Sequence, residues 1–170
     1  MRTAWIGLGL GVALALQTTL ARMVAGTGAP VDLVLVVVIV VAIATGPLSG
    51  LWAGTVGGLL QDALSGGVIG VGGLSKTVVG YLVGQFGAQF MVTRPAHQVP
   101  VFFVGSLIHA AFFVGIYLLL FEGDTVVTTY HDLLIQAATN TVIGGVASIG
   151  LQVAPGPSER RRLRRRWPSR

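Results

Sequence analysis

The stretch Gly46–Gly84, GPLSGLWAGTVGGLLQDALSGGVIGVGGLSKTVVGYLVG, decides the fold of this chain. Glycine recurs at every fourth position of its first part, at Gly46, Gly50, Gly54 and Gly58. Small residues at this spacing let helix backbones approach closely in lipid. Asp62 and Lys76 lie within the same apolar sequence, and a charge at bilayer depth costs about 2.5–3.5 kcal/mol on insertion scales. The stretch therefore predicts the tightly packed polar centre of a membrane protein.

The composition predicts that the whole chain is embedded in a membrane. It is 53% hydrophobic and 10% charged, whereas soluble domains carry about 25% charged residues. The run Leu33–Ala44, LVLVVVIVVAIA, offers no polar face to water. Because backbone groups in lipid are satisfied only in helices or closed barrels, and these segments lack the alternation of barrel strands, we expect an all-α integral membrane protein.

Six transmembrane helices are expected within residues 1–157, which form the predicted transmembrane domain. The spans are Thr3–Ala21, Val31–Thr45, Leu48–Leu64, Val68–Val92, Pro100–Phe121 and Leu133–Val153. Most approach the ~20 residues that a bilayer requires. The second and third are shorter and only Gly46 and Pro47 separate them, so we expect a tight hairpin. The first span has no small-residue cleavage site after its apolar core, which favours an uncleaved helix.

The positive charge of the chain lies in its C-terminal tail. The net charge is +5, but residues 1–157 contain four basic and five acidic residues, and residues 158–170 contain seven arginines and one glutamate. Six of these arginines are clustered: Arg160, Arg161, Arg162, Arg164, Arg165 and Arg166. Such a cluster predicts a cytoplasmic tail that contacts anionic lipid, at about 1 kcal/mol per arginine, rather than nucleic acid.

The positive-inside rule predicts the orientation. Six spans place both termini on one side, and Arg2, Arg94 and the arginine tail then share the cytoplasmic side. Arg22 and Asp32 fall in a short loop on the opposite side, where they could neutralise one another.

Two interpretations of Asp62 and Lys76 stay open. The turn at Ser65-Gly66-Gly67 makes the third and fourth spans antiparallel neighbours, and the long lysine stem can bridge much of the depth difference between the two charges. The pair is therefore either a structural ion pair or a site for a polar ligand or partner.

Further small-residue ladders occur in the first and fourth spans. They are Gly7, Gly11 and Ala15 in the first, and Gly80, Gly84 and Ala88 in the fourth. The spacing is typical of internal helix packing. It also fits docking of a transmembrane helix from another protein, and the sequence does not show which ladder faces outward.

The residues predict neither an enzyme nor a cofactor or metal site. There are no cysteines, and His97, His109 and His131 are too far apart for metal-ligand spacing. The sequence GLSK around Ser75 resembles the GxSG of rhomboid-type proteases, but Lys76 replaces the last glycine. Adjacent residues of a helix point about 100° apart, so Ser75 and Lys76 do not form a catalytic dyad.

The order of these elements resembles the core of the rod shape-determining protein MreD family. The resemblance rests on PVDLVLVVVIVVA before the third span, and on Gly46, Gly50, Gly54, Gly58-Leu59-Leu60, Asp62, Gly66-Gly67, Gly70, Leu74, Lys76, Gly80-Tyr81-Leu82 and Gly84. These residues cover about a third of the chain. The arginine-rich tail and the last two spans carry no part of the motif.

The resemblance implies a non-enzymatic scaffold or regulator of lateral peptidoglycan synthesis in the bacterial cytoplasmic membrane. It implies binding to a bitopic MreC-like protein, and through it to MreB, a transpeptidase and RodA. It also implies a fold similar to the substrate-binding subunits of energy-coupling-factor vitamin transporters. The alternative is such a transporter subunit, with Asp62, Lys76, His109 or Asn140 contacting the substrate.

Overall fold

The computed structural model describes residues 2–23, 31–66, 68–90, 95–120 and 130–153. These residues form six α-helices, so the predicted helical class is confirmed. The helices are α1 (Arg2–Met23), α2 (Leu33–Thr45), α3 (Pro47–Ser65), α4 (Val71–Phe90), α5 (Pro95–Leu120) and α6 (Tyr130–Val153).

Consecutive helices run antiparallel. In α3 and α4, Gly50 lies against Gly80 and Gly58 against Gly73, so one helix ascends as the other descends. We name the two ends of the bundle after α3, which begins at the Pro47 end and finishes at the Ser65 end. The other helices alternate in the same way, which places residues 2 and 153 together at the Pro47 end.

The hairpin expected between α2 and α3 is present. Gly46 ends α2 with a φ of 95°, a left-handed conformation that favours glycine. Its N–H donates to the carbonyl of Ala42 at 2.9 Å, and its carbonyl accepts from the N–H of Gly50 at 3.1 Å. Pro47 then occupies the first turn of α3, where its missing N–H costs nothing.

The second helix forms the centre of the bundle. Val34, Leu35, Val38, Ile39 and Ala42 are fully buried. One side of α2 packs against residues of α4 and α5, and the other packs against α1 and α3. A helix surrounded on every side needs no polar face, which explains the unbroken aliphatic run.

The exterior of the bundle is apolar. Large side chains such as Trp5, Leu48, Ile69, Leu119 and Val142 are more than 60% exposed, an arrangement compatible with a lipid-facing surface. Among the described residues, two helical segments are long and apolar enough to cross a membrane, His97–Leu120 and His131–Gly150. Ala4–Thr19 and Leu33–Thr45 are apolar but shorter. Six complete spans stay a prediction.

The largest boundary difference is at α5, which begins at Pro95 and not at Pro100. Proline is favoured in the first helical turn, and for that reason Pro100 reads as a helix start. In the structure Pro100 is the sixth residue of the helix, where its missing N–H removes one intrahelical hydrogen bond.

Candidate functional site

The glycines of the Gly46–Gly84 stretch bring the backbones of α3 and α4 into direct contact. A Cβ added at Gly54 would overlap the carbonyl of Lys76, and one at Gly58 would lie 2.6 Å from the Cα of Gly73. The Gly50 and Gly80 positions face each other in the same way. Any larger side chain here would separate the two helices. The glycine ladder of α3 is therefore covered by α4 of the same chain.

At Gly84, the same contact reaches the Pro47 end. An added Cβ there would overlap the backbone of Pro47. Gly46 differs from the other ladder positions, because its added Cβ would meet nothing within 4 Å. Its role in the structure is the left-handed turn between α2 and α3.

A hydroxyl pair joins α3 to α4 within this contact. The Oγ1 atoms of Thr55 and Thr77 are 2.8 Å apart. Each hydroxyl is also within hydrogen-bond distance of a carbonyl in its own helix, Thr77 of Gly73 at 2.7 Å and Thr55 of Leu51 at 2.9 Å, so either hydroxyl can be the donor between the two side chains. This hydrogen bond is possible because the glycines hold the helices close.

Lys76 forms a buried ion pair with Asp32. Its Nζ lies 2.7 Å from Asp32 Oδ2, and both side chains are less than 5% exposed. The Nζ is also 3.2 Å from Nε2 of His109. Because an ammonium only donates hydrogen bonds, Nε2 is the acceptor, and the proton of the neutral imidazole is on Nδ1.

The backbone around Asp32 connects this ion pair to α2 and α6. Asp32 is the N-cap of α2, and its Oδ1 accepts from the N–H of Leu35 at 2.9 Å. Its own N–H donates to Oδ1 of Asn140 at 2.9 Å, and Nδ2 of Asn140 donates to the hydroxyl of Ser106 at 3.3 Å. Helices α2, α4, α5 and α6 therefore meet at one buried polar cluster.

Of the two interpretations of Asp62 and Lys76, the structural ion pair is wrong. Both residues are buried, but Lys76 turns toward Asp32. Oδ2 of Asp62 accepts from the N–H groups of Gly70 and Gly73 at 2.9 and 3.0 Å. Asp62 thus caps the start of α4, where N–H groups have no intrahelical partner and a negative charge is favourable.

Lys76 neutralises Asp32, so Asp32 does not depend on Arg22 for its counter-charge. The side chain of Arg22 lies outside the described residues. The sequence does indicate the N-cap role of Asp32, because an aspartate directly before an aliphatic run is a typical helix N-cap. Nothing in the sequence pairs it with a lysine 44 positions later.

The ladder of α1 faces outward. Among the described residues, added Cβ atoms at Gly7 and Gly11 would meet nothing within 4 Å, and Ala15 is exposed. Leu8 and Val12 flank this strip and are at least half exposed. In α4, Ala88 is exposed as well, while Gly80 and Gly84 are buried against α3.

The remaining predicted sites are placed as follows. His109 is in the buried polar cluster, whereas His97 and His131 are exposed. Among the described residues no three histidine, cysteine or acidic side chains are grouped as metal ligands. The lipid-surface arginines, from Arg160 to Arg166, lie outside the described residues, so their role stays a prediction.

Comparisons with known proteins identify the family. No curated protein and no solved structure matches the chain, so the expected similarity to vitamin-transporter subunits stays a prediction. The model of the rod shape-determining protein MreD family, in contrast, matches residues 3–153, which cover the described helices except for Arg2. This match confirms the family indicated by the glycine motif: the chain belongs to the rod shape-determining protein MreD family.

Proposed function

We propose that this protein is a non-enzymatic scaffold of the machinery that builds the lateral cell wall. Membership of a family of rod shape-determining membrane proteins carries the proposal. A scaffold acts by presenting helix surfaces, and the described residues form a helical bundle with an apolar exterior. No comparison supports the alternative of a vitamin-transporter subunit.

The proposed direct partner is an MreC-like bitopic protein, which connects the scaffold to MreB, a transpeptidase and RodA. The α1 ladder is suited to its transmembrane helix, because Gly7 and Gly11 leave the backbone of α1 accessible. The ladder of α3 is filled by α4. Close approach of small residues is the usual basis of helix association in lipid.

The proposed location is the bacterial cytoplasmic membrane, with several spans and both termini in the cytoplasm. Two features support this orientation. Residues 2 and 153 lie at the same end of the bundle, and the arginine-rich tail begins five positions after residue 153. Arginine-rich segments near spans are retained in the cytoplasm.

Depletion of the protein in its rod-shaped host tests the scaffold. We expect round or widened cells and reduced lateral incorporation of new peptidoglycan, both restored by the wild-type chain. Unchanged shape together with a requirement for an added vitamin would contradict the scaffold and favour the transporter subunit.

Gly11→Leu tests the docking surface in the same depletion strain. Because no atom of the described residues lies near this position, the variant should reach wild-type levels in the membrane, yet fail to restore rod shape and to co-purify the MreC-like partner. Gly150→Leu is the matched control, since Gly150 on α6 is equally unobstructed. If both variants restore rods and retain the partner, α1 is not the docking helix.

A further inference from the structure

Gln17 is a polar residue on the otherwise apolar buried face of α1. This face packs against α2 and α3 through Leu10, Ala13 and Leu14, each of which is less than 10% exposed. At about 100° per residue, Gln17 points in the same direction as these three side chains. The helix therefore places a half-buried amide beside the start of α2.

The side-chain amide of Gln17 binds the backbone at the start of α2. Its Oε1 accepts from the N–H of Leu33 at 2.7 Å and from that of Val34 at 3.4 Å, and its Nε2 donates to the carbonyl of Val31 at 3.1 Å. The first N–H groups of a helix have no partner within that helix, and Asp32, the N-cap of α2, satisfies the third of them. Gln17 and Asp32 therefore cap α2 together.

The other described side chains of α1 do not hydrogen-bond to the rest of the bundle. The hydroxyls of Thr18 and Thr19 donate to the carbonyl of Ala15, within α1 itself. The remaining contacts of the helix are apolar, and lipid tails are as apolar as the leucines that make these contacts. Leu8 and Leu16, on the opposite side, are more than half exposed, so hydrophobicity alone does not decide which side of α1 faces the bundle.

The hydrogen bonds of Gln17 favour one rotation of α1 over the others. Gly11 lies six residues before Gln17, and it therefore points about 120° away from Gln17 around the helix axis. A rotation that brought Gly11 to the bundle would move the amide away from α2 and leave N–H groups at the start of α2 without an acceptor. Such losses are costly in lipid, because no water replaces the missing partner. While Gln17 is bound to α2, Gly7 and Gly11 face outward.

We propose that Gln17 positions the docking surface of α1 for the partner helix. Its hydrogen bonds to the start of α2 fix the rotation of α1, and this rotation presents the backbone at Gly7 and Gly11. Gln17 acts through α1 and does not contact the partner. The inference rests on the proposed function, because the rotation matters to the scaffold only if a transmembrane helix docks on this surface.

Cysteine cross-linking of the full chain in nanodiscs, without the partner, tests the rotation of α1. The chain has no cysteines of its own, and a Cβ added at Gly57 would lie 2.9 Å from Cδ2 of Leu10. The pair Leu10→Cys/Gly57→Cys should therefore oxidise readily to a disulfide, whereas Gly11→Cys/Gly57→Cys should not, since Gly11 faces outward. The ratio of the two disulfide yields reports the rotation of α1, because a loss of stability alone affects both pairs alike.

Substitutions at Gln17 should change this ratio. Gln17→Met keeps the length of the side chain but removes its hydrogen bonds, so the ratio should fall about tenfold. Gln17→Glu should restore most of it, because the carboxyl group can still accept from the N–H of Leu33. Thr18→Val is the matched control and should keep the wild-type ratio, since the Thr18 hydroxyl bonds only within α1. An unchanged ratio in Gln17→Met, or an equal fall in Thr18→Val, would overturn the proposal.

Co-purification of the MreC-like partner tests the consequence of the rotation. At equal membrane levels, Gln17→Met should recover about tenfold less partner than the wild type, and Gln17→Glu should recover most of it. Full recovery by Gln17→Met despite a changed cross-linking ratio would overturn the proposal, because the rotation would then not matter to docking. If Gly11→Leu retains the partner, the docking surface itself is wrong, and that failure is recognised without any variant of Gln17.

Discussion

Two ladders of small residues have the same spacing and opposite positions. In α3, Gly50, Gly54 and Gly58 face the backbone of α4 at distances that no side chain tolerates. In α1, a Cβ added at Gly7 or Gly11 would meet no atom of the described residues within 4 Å. The comparison teaches that i, i+4 spacing specifies how closely a helix can be approached, but not which helix approaches it. The ladder of α3 stabilises the contact with α4 inside the bundle, whereas the ladder of α1 is accessible to another helix.

The inner ladder, Gly50, Gly54 and Gly58 of α3, also differs from the outer ladder of α1 because it lies next to a buried charge. The substitution Lys76→Met tests this difference and has the largest expected effect. The carbonyl of Lys76 faces Gly54, and its ammonium neutralises Asp32. Loss of one partner of a buried ion pair costs about 3–5 kcal/mol. We expect a corresponding fall in the free energy of unfolding, measured by denaturant titration in detergent.

The double variant Asp32→Asn/Lys76→Met is the control for this prediction. Asparagine keeps an oxygen for the N–H of Leu35 but carries no charge, so the double variant should recover much of the lost stability. If both variants unfold at the wild-type denaturant concentration, the ion pair contributes nothing to the fold.

Gly54→Leu tests the close contact of the inner ladder directly and has the second largest expected effect. The leucine Cβ would overlap the carbonyl of Lys76, and overpacking costs about 1–3 kcal/mol, occasionally more. The helices must move apart, so we expect a lower thermal unfolding midpoint and more aggregate in size-exclusion chromatography.

The matched substitution on the outer ladder is Gly11→Leu. It should change the free energy of unfolding by no more than about 0.5 kcal/mol, as is usual for surface positions. Equal losses of stability in Gly54→Leu and Gly11→Leu would show that the two ladders do not differ as the structure indicates.

Thr55→Val tests the hydrogen bond between α3 and α4 beside the inner ladder, and it has the smallest expected effect. It removes the hydrogen bond between the Oγ1 atoms of Thr55 and Thr77, which are 2.8 Å apart, and keeps the shape of the side chain. Such bonds between membrane helices contribute about 0.6 kcal/mol on average. The loss should be measurable in the same denaturant titration.

Thr45→Val provides the comparison for Thr55→Val. The hydroxyl of Thr45 donates only to the carbonyl of Val41 in its own helix, at 2.6 Å. We therefore expect a smaller change than at Thr55. A larger change at Thr45 would mean that the hydroxyl pair does not stabilise the contact between α3 and α4.

The sequence alone determined the helical class, the family and the chain segments that become helices. The unbroken aliphatic run of α2 and the glycine spacing of α3 and α4 are local properties, and local spacing directly reflects helix geometry. Gly46 and Pro47 likewise mark a turn through their own backbone preferences.

Only the tertiary structure decided the partners of the charged residues and the direction of each ladder. Asp62 lies close to Lys76 in sequence but caps α4, while Asp32, from another helix, neutralises the lysine. His109 and Asn140 join the same cluster from α5 and α6. Such contacts depend on how whole helices are arranged around α2, and no periodicity within a single helix records which side a neighbouring helix will occupy.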